Sequence, residues 1–154
     1  MRRDSRLSGV LHVLLHMAEF ETPVTSERLA MVMQTNPVVV RRIMGGLRDL
    51  SLVTSEKGHG GGWSLSCDLD RITLHDVYLA LGAPEIFAMG HRNAFPACLV
   101  EQAVNAALAT AFEDAERLLL ARLGDVTLGQ LSVDFHARLS KRETNRKEAR
   151  PDGA

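Results

Sequence analysis

Residues 36–63, NPVVVRRIMGGLRDLSLVTSEKGHGGGW, decide how the rest of the chain is organised. Asn36 is a good helix N-cap and Pro37 suits the first helical position, so we expect a helix to begin here. Four apolar residues recur at helical spacing on the face that we expect to be buried: Val40, Ile43, Leu47 and Leu50. The opposite face carries five other residues: Val38, Arg41, Arg42, Gly45 and Arg48. The stretch therefore begins with an amphipathic helix that has a short basic surface.

A glycine-rich hairpin is predicted to follow this basic helix. Residues 52–55 and 63–66 are short strand candidates, and the glycines make the tip between them flexible and able to approach another backbone closely. Alternation along the second strand directs Trp63 and Leu65 inward and the serines outward. A phosphate-binding nucleotide loop would need a following helix N-terminus and a Gly-Lys-Ser/Thr element, and the sequence offers neither.

The composition favours a globular protein with one basic end. The chain has 154 residues, enough for one compact domain or for a small domain with an oligomerising appendage. Charges nearly balance, with 18 lysines and arginines against 19 aspartates and glutamates. Basic residues nevertheless collect in the first third: Arg2, Arg3, Arg6, Arg41, Arg42, Arg48 and Lys57. This asymmetry would let one end of the molecule face phosphates.

The sequence shows neither a membrane-spanning stretch nor a signal peptide. No apolar run approaches the roughly 20 residues that a spanning helix needs, and no apolar core follows the basic N-terminus. We therefore expect a cytoplasmic protein with no membrane partner. In a reducing compartment its two cysteines, Cys67 and Cys98, are expected to be free thiols.

Two helical patterns precede the basic helix. The first, at residues 6–19, presents His12 and His16 one turn apart with a glutamate nearby, which suits either a metal site lacking an evident fourth ligand or a plain polar surface. Thr25 can cap the second, which ends at Met33. Only two residues then lead into the basic helix. Such a pair fits a helix-turn-helix, although an ordinary helical hairpin would show the same pattern.

The hairpin and the segment after it carry a family resemblance. SEKGHGGGWSL at residues 55–65 and ITLHDV at residues 72–77 resemble the wing and the following helix of the Rrf2 family of bacterial winged-helix transcription regulators. The resemblance extends from the first helix to about Leu131. It implies a mainly α fold with a small β wing, in which a winged helix-turn-helix is followed by a long C-terminal dimerisation helix.

The sequence departs from the family in two places within residues 36–63. The usual arginine-glycine wing tip is here Lys57-Gly58, which keeps the charge but loses the bidentate hydrogen bonding of arginine. Gly45-Gly46 lies inside the basic helix, where each glycine costs about 1 kcal/mol in helix propensity. We expect this pair to permit close packing against a neighbouring element.

The second half of the chain is predicted to contain the dimerisation element. Thr73 can cap a helix to Leu81, with Asp76 completing the cap. Residues 83–98 lack a period and are read as a loop. An alanine-rich helix over residues 99–123 then carries a long apolar seam: Val100, Val104, Leu108, Ala111, Ala115 and Leu118. One small domain cannot bury so long a seam, and the resemblance also implies a dimer; the alternative is a helix folded back on its own domain.

These patterns divide the chain into four parts. Residues 1–82 form the winged helix-turn-helix domain, 83–98 the loop, and 99–135 the dimerisation helix with a last short helix. Residues 136–154 are charged and lack apolar anchors, so we expect a frayed helix and a disordered tail.

Double-stranded DNA is the expected partner, with the start of the basic helix in the major groove. Polar groups would reach base edges or phosphates, Val38 a thymine methyl, and the wing the flanking minor groove or phosphates. The predicted contacts are Thr35, Asn36, Val38, Arg41, Arg42, Lys57, His59 and Gly60. A homodimer joined through residues 99–123 would act, as a repressor, on a pseudo-palindromic operator.

The signal that controls the regulator is open among several alternatives. Cluster-binding members of the resembled family carry three cysteines before the long helix, and only Cys98 stands there, so no cofactor is expected. A cluster held by His12 and Cys98 of two subunits is one alternative, a small molecule at residues 83–97 is another, and the absence of any sensor of the family kind is a third. A redox-active Cys98 thiolate at a helix start is favoured. Cys67 is expected to be a small core residue.

Two other classes of function have less support. The sequence shows no paired carboxylates, no Ser-His-Asp arrangement and no metal signature, so we expect no enzyme. A winged-helix adaptor that binds proteins would keep the apolar long helix, but would not need Arg41, Arg42 and Lys57 on one surface. A sequence-specific DNA-binding regulator accounts for both features.

Overall fold

The computed structural model describes residues 5–87 and 97–148, which contain six α-helices and one small antiparallel sheet. The helices are α1 (Arg6–Met17), α2 (Ser26–Met33), α3 (Pro37–Asp49), α4 (Leu74–Ala80), α5 (Leu99–Gly124) and α6 (Leu128–Glu148). The strands are β1 (Val53–Glu56) and β2 (Gly62–Leu65), and a 3-10 turn spans Leu69–Arg71. The predicted mainly α fold with a small β wing is confirmed.

The core lies between the first three helices, the hairpin, α4 and the start of α6. Its largest fully buried side chains are Val10, Val13, Leu14, Leu29, Val40, Met44, Leu47, Val53, Ile72, Val77 and Leu128. Three of the four apolar residues predicted for the inner face of α3 are buried, but Leu50 is wrong, because its side chain is 47% exposed. The helix ends at Asp49 and Leu50 is its C-cap, so the helical period no longer directs that side chain inward.

The hairpin is attached to the residues that precede α2. Strands β1 and β2 pair from Val53 opposite Leu65 to Glu56 opposite Gly62, one residue away from the predicted strand bounds. The N–H of Trp63 donates to the Val24 carbonyl over 2.8 Å, and the N–H of Val24 donates back over 2.9 Å. The Trp63 side chain is buried, as expected, and this two-way bridge fixes the hairpin against the helical domain.

Helix α4 packs against α3 through a glycine. A methyl group on Gly46 would overlap the carbonyl oxygen of Ala80 at the end of α4. The predicted cap of α4 is confirmed, because Thr73 and Asp76 form a complete capping box. The expectation of close packing thus holds for Gly46, whereas a methyl group on Gly45 would meet nothing within 4 Å.

Helix α5 packs against α4 along one face, and another face is exposed to solvent. Phe112 stacks on Phe87 with their ring centroids 5.8 Å apart. The apolar seam predicted from the sequence lies elsewhere on the helix and is exposed, with Val100 at 71% and Leu118 at 62%. No residue of α5 is buried.

Helix α6 returns to the winged domain and is longer than expected. Leu128 is fully buried, and its N–H donates to the Ile72 carbonyl over 2.8 Å. The predicted last helix was short and followed by a disordered tail from residue 136; the structure instead continues α6 to Glu148. Charged side chains line this extension, and the ion pair Arg138–Asp134 at 2.7 Å is of the i,i+4 kind that supports solvated helices. The loop predicted for residues 83–98 lies partly outside the described residues, and 83–87 are irregular as expected.

Candidate DNA-binding surface

The helix-turn-helix is built by two capped helices and one left-handed residue. Thr25 Oγ1 accepts a hydrogen bond from the Arg28 N–H at 3.3 Å, which begins α2. Gln34 then takes φ 53°, in the left-handed region, and turns the chain. Asn36 Oδ1 accepts from the Val39 N–H at 3.0 Å, which begins α3. Both caps were predicted from the sequence, and together they set the angle at which α3 leaves the turn.

The outward face of α3 carries the side chains predicted to meet DNA. Val38 is 69% exposed, so its methyl groups are accessible to a ligand. Arg41 and Arg42 are exposed as well, while Thr35 is half-buried beside the turn. Because the oxygen of Asn36 is engaged in capping, the amide NH₂ is the group it can offer to a ligand. The start of α3 thus presents donors and one apolar contact on the same side.

Arg41 has a partner that the sequence does not reveal. Its guanidinium lies 3.0 Å from Glu27 Oε1 on α2, and both side chains are more than half exposed. An ion pair this exposed contributes about 0–1 kcal/mol, so phosphate can replace the carboxylate at little cost. Fourteen residues separate the two, and no local pattern in the sequence would identify such a pair.

The wing tip presents Lys57, His59 and Gly60 to solvent. Gly58 and Gly60 have backbone φ angles of 93° and 77°, which residues other than glycine rarely adopt. The glycines therefore shape the tip, and Lys57 is its one cationic side chain with a permanent charge.

Arg48, on α3, contacts the wing. Its guanidinium lies 5.9 Å from the centroid of the Trp63 ring, within the range of a cation–π contact. The structure thus places Val38, Arg41 and Arg42 on α3, and Thr35 and Asn36 in the turn and cap that precede it. The three predicted wing residues lie on a hairpin that packs against the same domain. Arg48 and Glu27 are members of this surface that the list of predicted contacts omits.

Comparison with known proteins decides which family has this arrangement. The family described as Rrf2, iron-dependent transcriptional regulator, matches residues 3–134. The chain belongs to the Rrf2 family. The resemblance inferred from the wing and the following helix is therefore confirmed.

Two relatives of this Rrf2 protein have been named as regulators. YwnA of Bacillus subtilis (strain 168), named for an HTH-type transcriptional regulator, is 34% identical over 125 residues, which cover 81% of this chain and 92% of YwnA. YffB of Lactococcus lactis subsp. lactis (strain IL1403), named likewise, is 31% identical over 136 residues, covering 86% of this chain and 87% of YffB. The matched regions include both the winged domain and the long helix.

Solved structures show the same fold. A crystal structure named for a DNA-binding protein is 31% identical, with a TM-score of 0.65 over 82% of this chain and 98% of that one. The oxidised form of CymR from Staphylococcus aureus has a TM-score of 0.62 at 17% identity, over 86% of this chain and 96% of its own, and supports the fold alone. This Rrf2 protein is a winged-helix, DNA-binding transcription regulator and not an enzyme. None of its described helices is long and apolar enough to cross a membrane.

The iron named in the family description finds few ligands in this Rrf2 chain. Iron–sulfur clusters are held mostly by cysteine thiolates, four to a cluster. The chain has two cysteines, of which Cys67 is half-buried against the core and Cys98 is exposed. Among residues 5–87 and 97–148, no three histidine, cysteine or acidic side chains come together as metal ligands. The residues of one chain therefore do not fit a cluster.

His12, one of the two residues considered as cluster ligands, contacts another histidine. His12 Nε2 lies 2.9 Å from His16 Nε2 one turn further along α1, so the two rings share a hydrogen bond. His12 therefore pairs within its own helix and the observed contact does not involve Cys98.

Cys98 occupies the N-cap position of α5. The nearby backbone N–H groups of Glu101 and Val100, in the first turn of α5, lower the pKa of the Cys98 thiol, although the side chain forms no regular capping hydrogen bond. The thiolate is therefore favoured at this helix start, as predicted from the macrodipole.

Proposed function

We propose that this Rrf2 regulator acts in the cytoplasm as a homodimeric repressor on a pseudo-palindromic operator. In this proposal residues 1–82 read DNA, the helix at residues 99–123 joins the subunits, and 83–98 form the loop that links these parts. The exposed apolar seam of α5 carries the proposal, because residues 5–87 and 97–148 leave it uncovered and a second subunit would bury it.

The two faces of α5 support a second subunit as that partner. Helix α5 packs against α4, and its Phe112 stacks on Phe87, so the helix is already docked on its own domain. The seam residues lie roughly 40–120° around the helix from Phe112, and the seam is exposed at Val104 and Leu108 as well as at its ends. Contiguous exposed apolar surface of this kind marks interaction sites. Crossing of two such helices would place the two DNA-reading domains on either side of a two-fold axis.

The DNA contacts follow from the outward face of α3. With that helix in the major groove, the Asn36 NH₂ and the Thr35 hydroxyl reach base edges or phosphates, and Val38 contacts a thymine methyl. Arg42 is available for guanine or backbone, whereas Arg41 exchanges Glu27 for a phosphate. Lys57, His59 and the Gly60 amide follow the adjacent backbone or minor groove.

A mobility-shift titration with DNA from upstream of the gene tests the DNA contacts. Arg42→Ala and Lys57→Ala should each weaken binding about five- to fiftyfold and flatten the slope of log K against log salt by about 1 per lost phosphate contact. Arg117→Ala is the matched control, because Arg117 lies on α5 and pairs with Asp114 at 2.7 Å. Equal affinities for all four proteins would refute the assignment of the surface.

Sedimentation of a seam variant tests the dimer. Val104→Glu places a charge in the middle of the proposed interface and should give monomers at micromolar concentration, while Glu113→Lys alters an exposed charged position of the same helix. A dimer that survives Val104→Glu would exclude the seam as the interface. Repression itself is tested by a reporter placed behind the upstream DNA, whose output should rise when the gene is deleted.

Redox control through Cys98 is a second part of the proposal, favoured by the exposed N-cap thiol with its lowered pKa. The thiolate attacks one oxygen of a peroxide, the O–O bond breaks, and hydroxide leaves and takes a proton to become water. The sulfur is oxidised to a sulfenic acid as the peroxide is reduced. Peroxide should change the affinity for the operator in the wild type and in Cys67→Ser, and not in Cys98→Ser. The same response in Cys98→Ser would overturn this part.

A further inference from the structure

We infer that the cavity between α1 and the helix-turn-helix is an effector site for a small amphiphilic anion of the short-chain aliphatic carboxylate class. The cavity has a volume of about 370 Å³, within the range of roughly 300–1,000 Å³ that is usual for small-molecule sites. Helix α1 forms one wall, and the end of α2, the turn and α3 form the other. The inference rests on the DNA-binding function, because the site lies behind the helix that meets DNA.

The wall on α1 is kept open by small residues. Gly9 lies inside that helix, where glycine costs about 1 kcal/mol relative to alanine. A methyl group there would meet only the terminal carbon of Met33, at 3.7 Å, which is an ordinary contact. Packing therefore does not require glycine at this position. Ser5 and Ser8 also line the cavity. The small side chains along this wall leave the cavity open, and the glycine lowers the stability of the helix.

The chemistry of the lining selects an anion with an apolar body. Arg6 supplies a guanidinium that would exchange its present partner for the ligand, His12 an imidazole that is hydrogen-bonded to His16, and Ser8 and Thr35 hydroxyls. The described lining contains no carboxylate, so nothing in it repels an anion. The opposite wall is aliphatic: Val32, Met33, Val39 and Ile43. A carboxylate head at the α1 end and a hydrocarbon chain against α3 would satisfy both sides.

The position of the cavity couples its occupancy to DNA binding. Thr35 immediately precedes the cap of α3, and Val39 and Ile43 belong to α3 itself. A molecule wedged against these side chains pushes α3 away from α1, and the arginines of α3 move with it. A ligand shifts such an equilibrium only by its difference in affinity for the two states, and couplings of five- to 150-fold are typical. We expect occupancy to weaken operator binding by about five- to tenfold.

Calorimetric titration of the full-length protein with butanoate, hexanoate and octanoate tests binding. Hexan-1-ol and hexylamine serve as uncharged and cationic controls with the same chain length as hexanoate. Saturable heat is expected from hexanoate or octanoate and not from hexylamine. Gly9→Leu fills the cavity and should abolish the heat, while Gly124→Leu adds the same side chain at a helix glycine with open space around it. Arg6→Gln keeps the space and should weaken the carboxylates alone, which keeps the test valid if Gly9→Leu does not fold.

The same carboxylates are then added to the mobility-shift titration. A five- to tenfold loss of operator affinity in the wild type and in Gly124→Leu, absent in Gly9→Leu, supports the inference. No saturable binding by any of the three carboxylates overturns it, as does equal binding to Gly9→Leu or binding without an effect on DNA. Failure of the wild type to shift any DNA would refute the proposed operator binding, whereas the calorimetry would still report on the cavity.

Discussion

Replacing Gly46 by alanine should destabilise the protein, whereas the same change at Gly45 should stabilise it. Both glycines lie inside α3, so either substitution gains about 1 kcal/mol of helix propensity. A methyl group at position 46 would overlap the carbonyl oxygen of Ala80 and lie 3.4 Å from its carbonyl carbon. Since the obstacle is backbone at the end of α4, a rotamer change cannot relieve it and α3 or α4 must move.

The net effect follows from these two opposing contributions. Overpacking of a well-packed contact costs typically 1–3 kcal/mol, and a backbone obstacle belongs at the upper end, so Gly46→Ala should lose about 1–2 kcal/mol overall. For a domain of this size 1 kcal/mol corresponds to roughly 2–4 °C in Tm. We expect Tm to fall by about 3–6 °C for Gly46→Ala and to rise by about 2–4 °C for Gly45→Ala.

Thermal and urea unfolding of the three proteins at one fixed concentration measures the difference, because the apparent stability of an oligomer depends on concentration. Circular dichroism at 222 nm serves as the readout. If Gly46→Ala unfolds at or above the wild-type Tm, the close approach of α3 to α4 is refuted. The Gly45 variant shows that any loss is specific to the neighbouring position.

Three further substitutions or reactions probe other parts of the molecule. Asn36→Ala should cost about 1 kcal/mol in urea unfolding through loss of the α3 cap, whereas Asn36→Asp, which keeps a capping oxygen, should cost much less. Trp63→Phe removes the indole N–H that donates to the buried Ser26 Oγ over 3.0 Å, and the free energy of unfolding should fall by about 1–3 kcal/mol. Ser26→Ala in the same background should recover part of that loss. If it recovers none, the hydrogen bond does not contribute to stability. Because its pKa is lowered, Cys98 should react with iodoacetamide along a pH profile whose midpoint lies below that of a free cysteine peptide; a midpoint at or above the peptide value would contradict the role of the Glu101 and Val100 amides.

Much of the winged domain could be predicted from local signals. The caps at Thr25, Asn36 and Thr73 depend on side chains within three residues of the helix start, so the sequence shows them directly. The apolar seam and a long run without proline or glycine likewise predicted the bounds of α5 to within one residue. The wing was predicted because glycine, an aromatic residue and alternation occur together in a short segment.

Long-range contacts explain what the sequence did not reveal. The pairing of Arg41 with Glu27 and the bridge from Val24 to Trp63 join residues far apart in the chain. Gly46 and Gly45 look alike in sequence, and only the position of α4 distinguishes them. The length of α6 was missed because its charged end has no apolar period; one i,i+4 ion pair, Arg138–Asp134, supports the beginning of that end. The cavity beside Gly9 depends on the spacing of three helices and has no sequence signature.

The attachment of α6 to the start of α4 has a consequence for the spacing of the operator. The Leu74 N–H donates to the Val126 carbonyl over 3.0 Å, and the Leu128 N–H donates to the Ile72 carbonyl over 2.8 Å. The chain that leaves α5 is thereby tied back to the domain from which α5 extends. In the proposed dimer each reading head is then attached to its connecting helix both through α4 and at the end of α5, which restricts its rotation. Inserting one base pair at the operator centre would rotate one half-site by about 35° relative to the other, a twist that must be taken up by the DNA rather than by the protein.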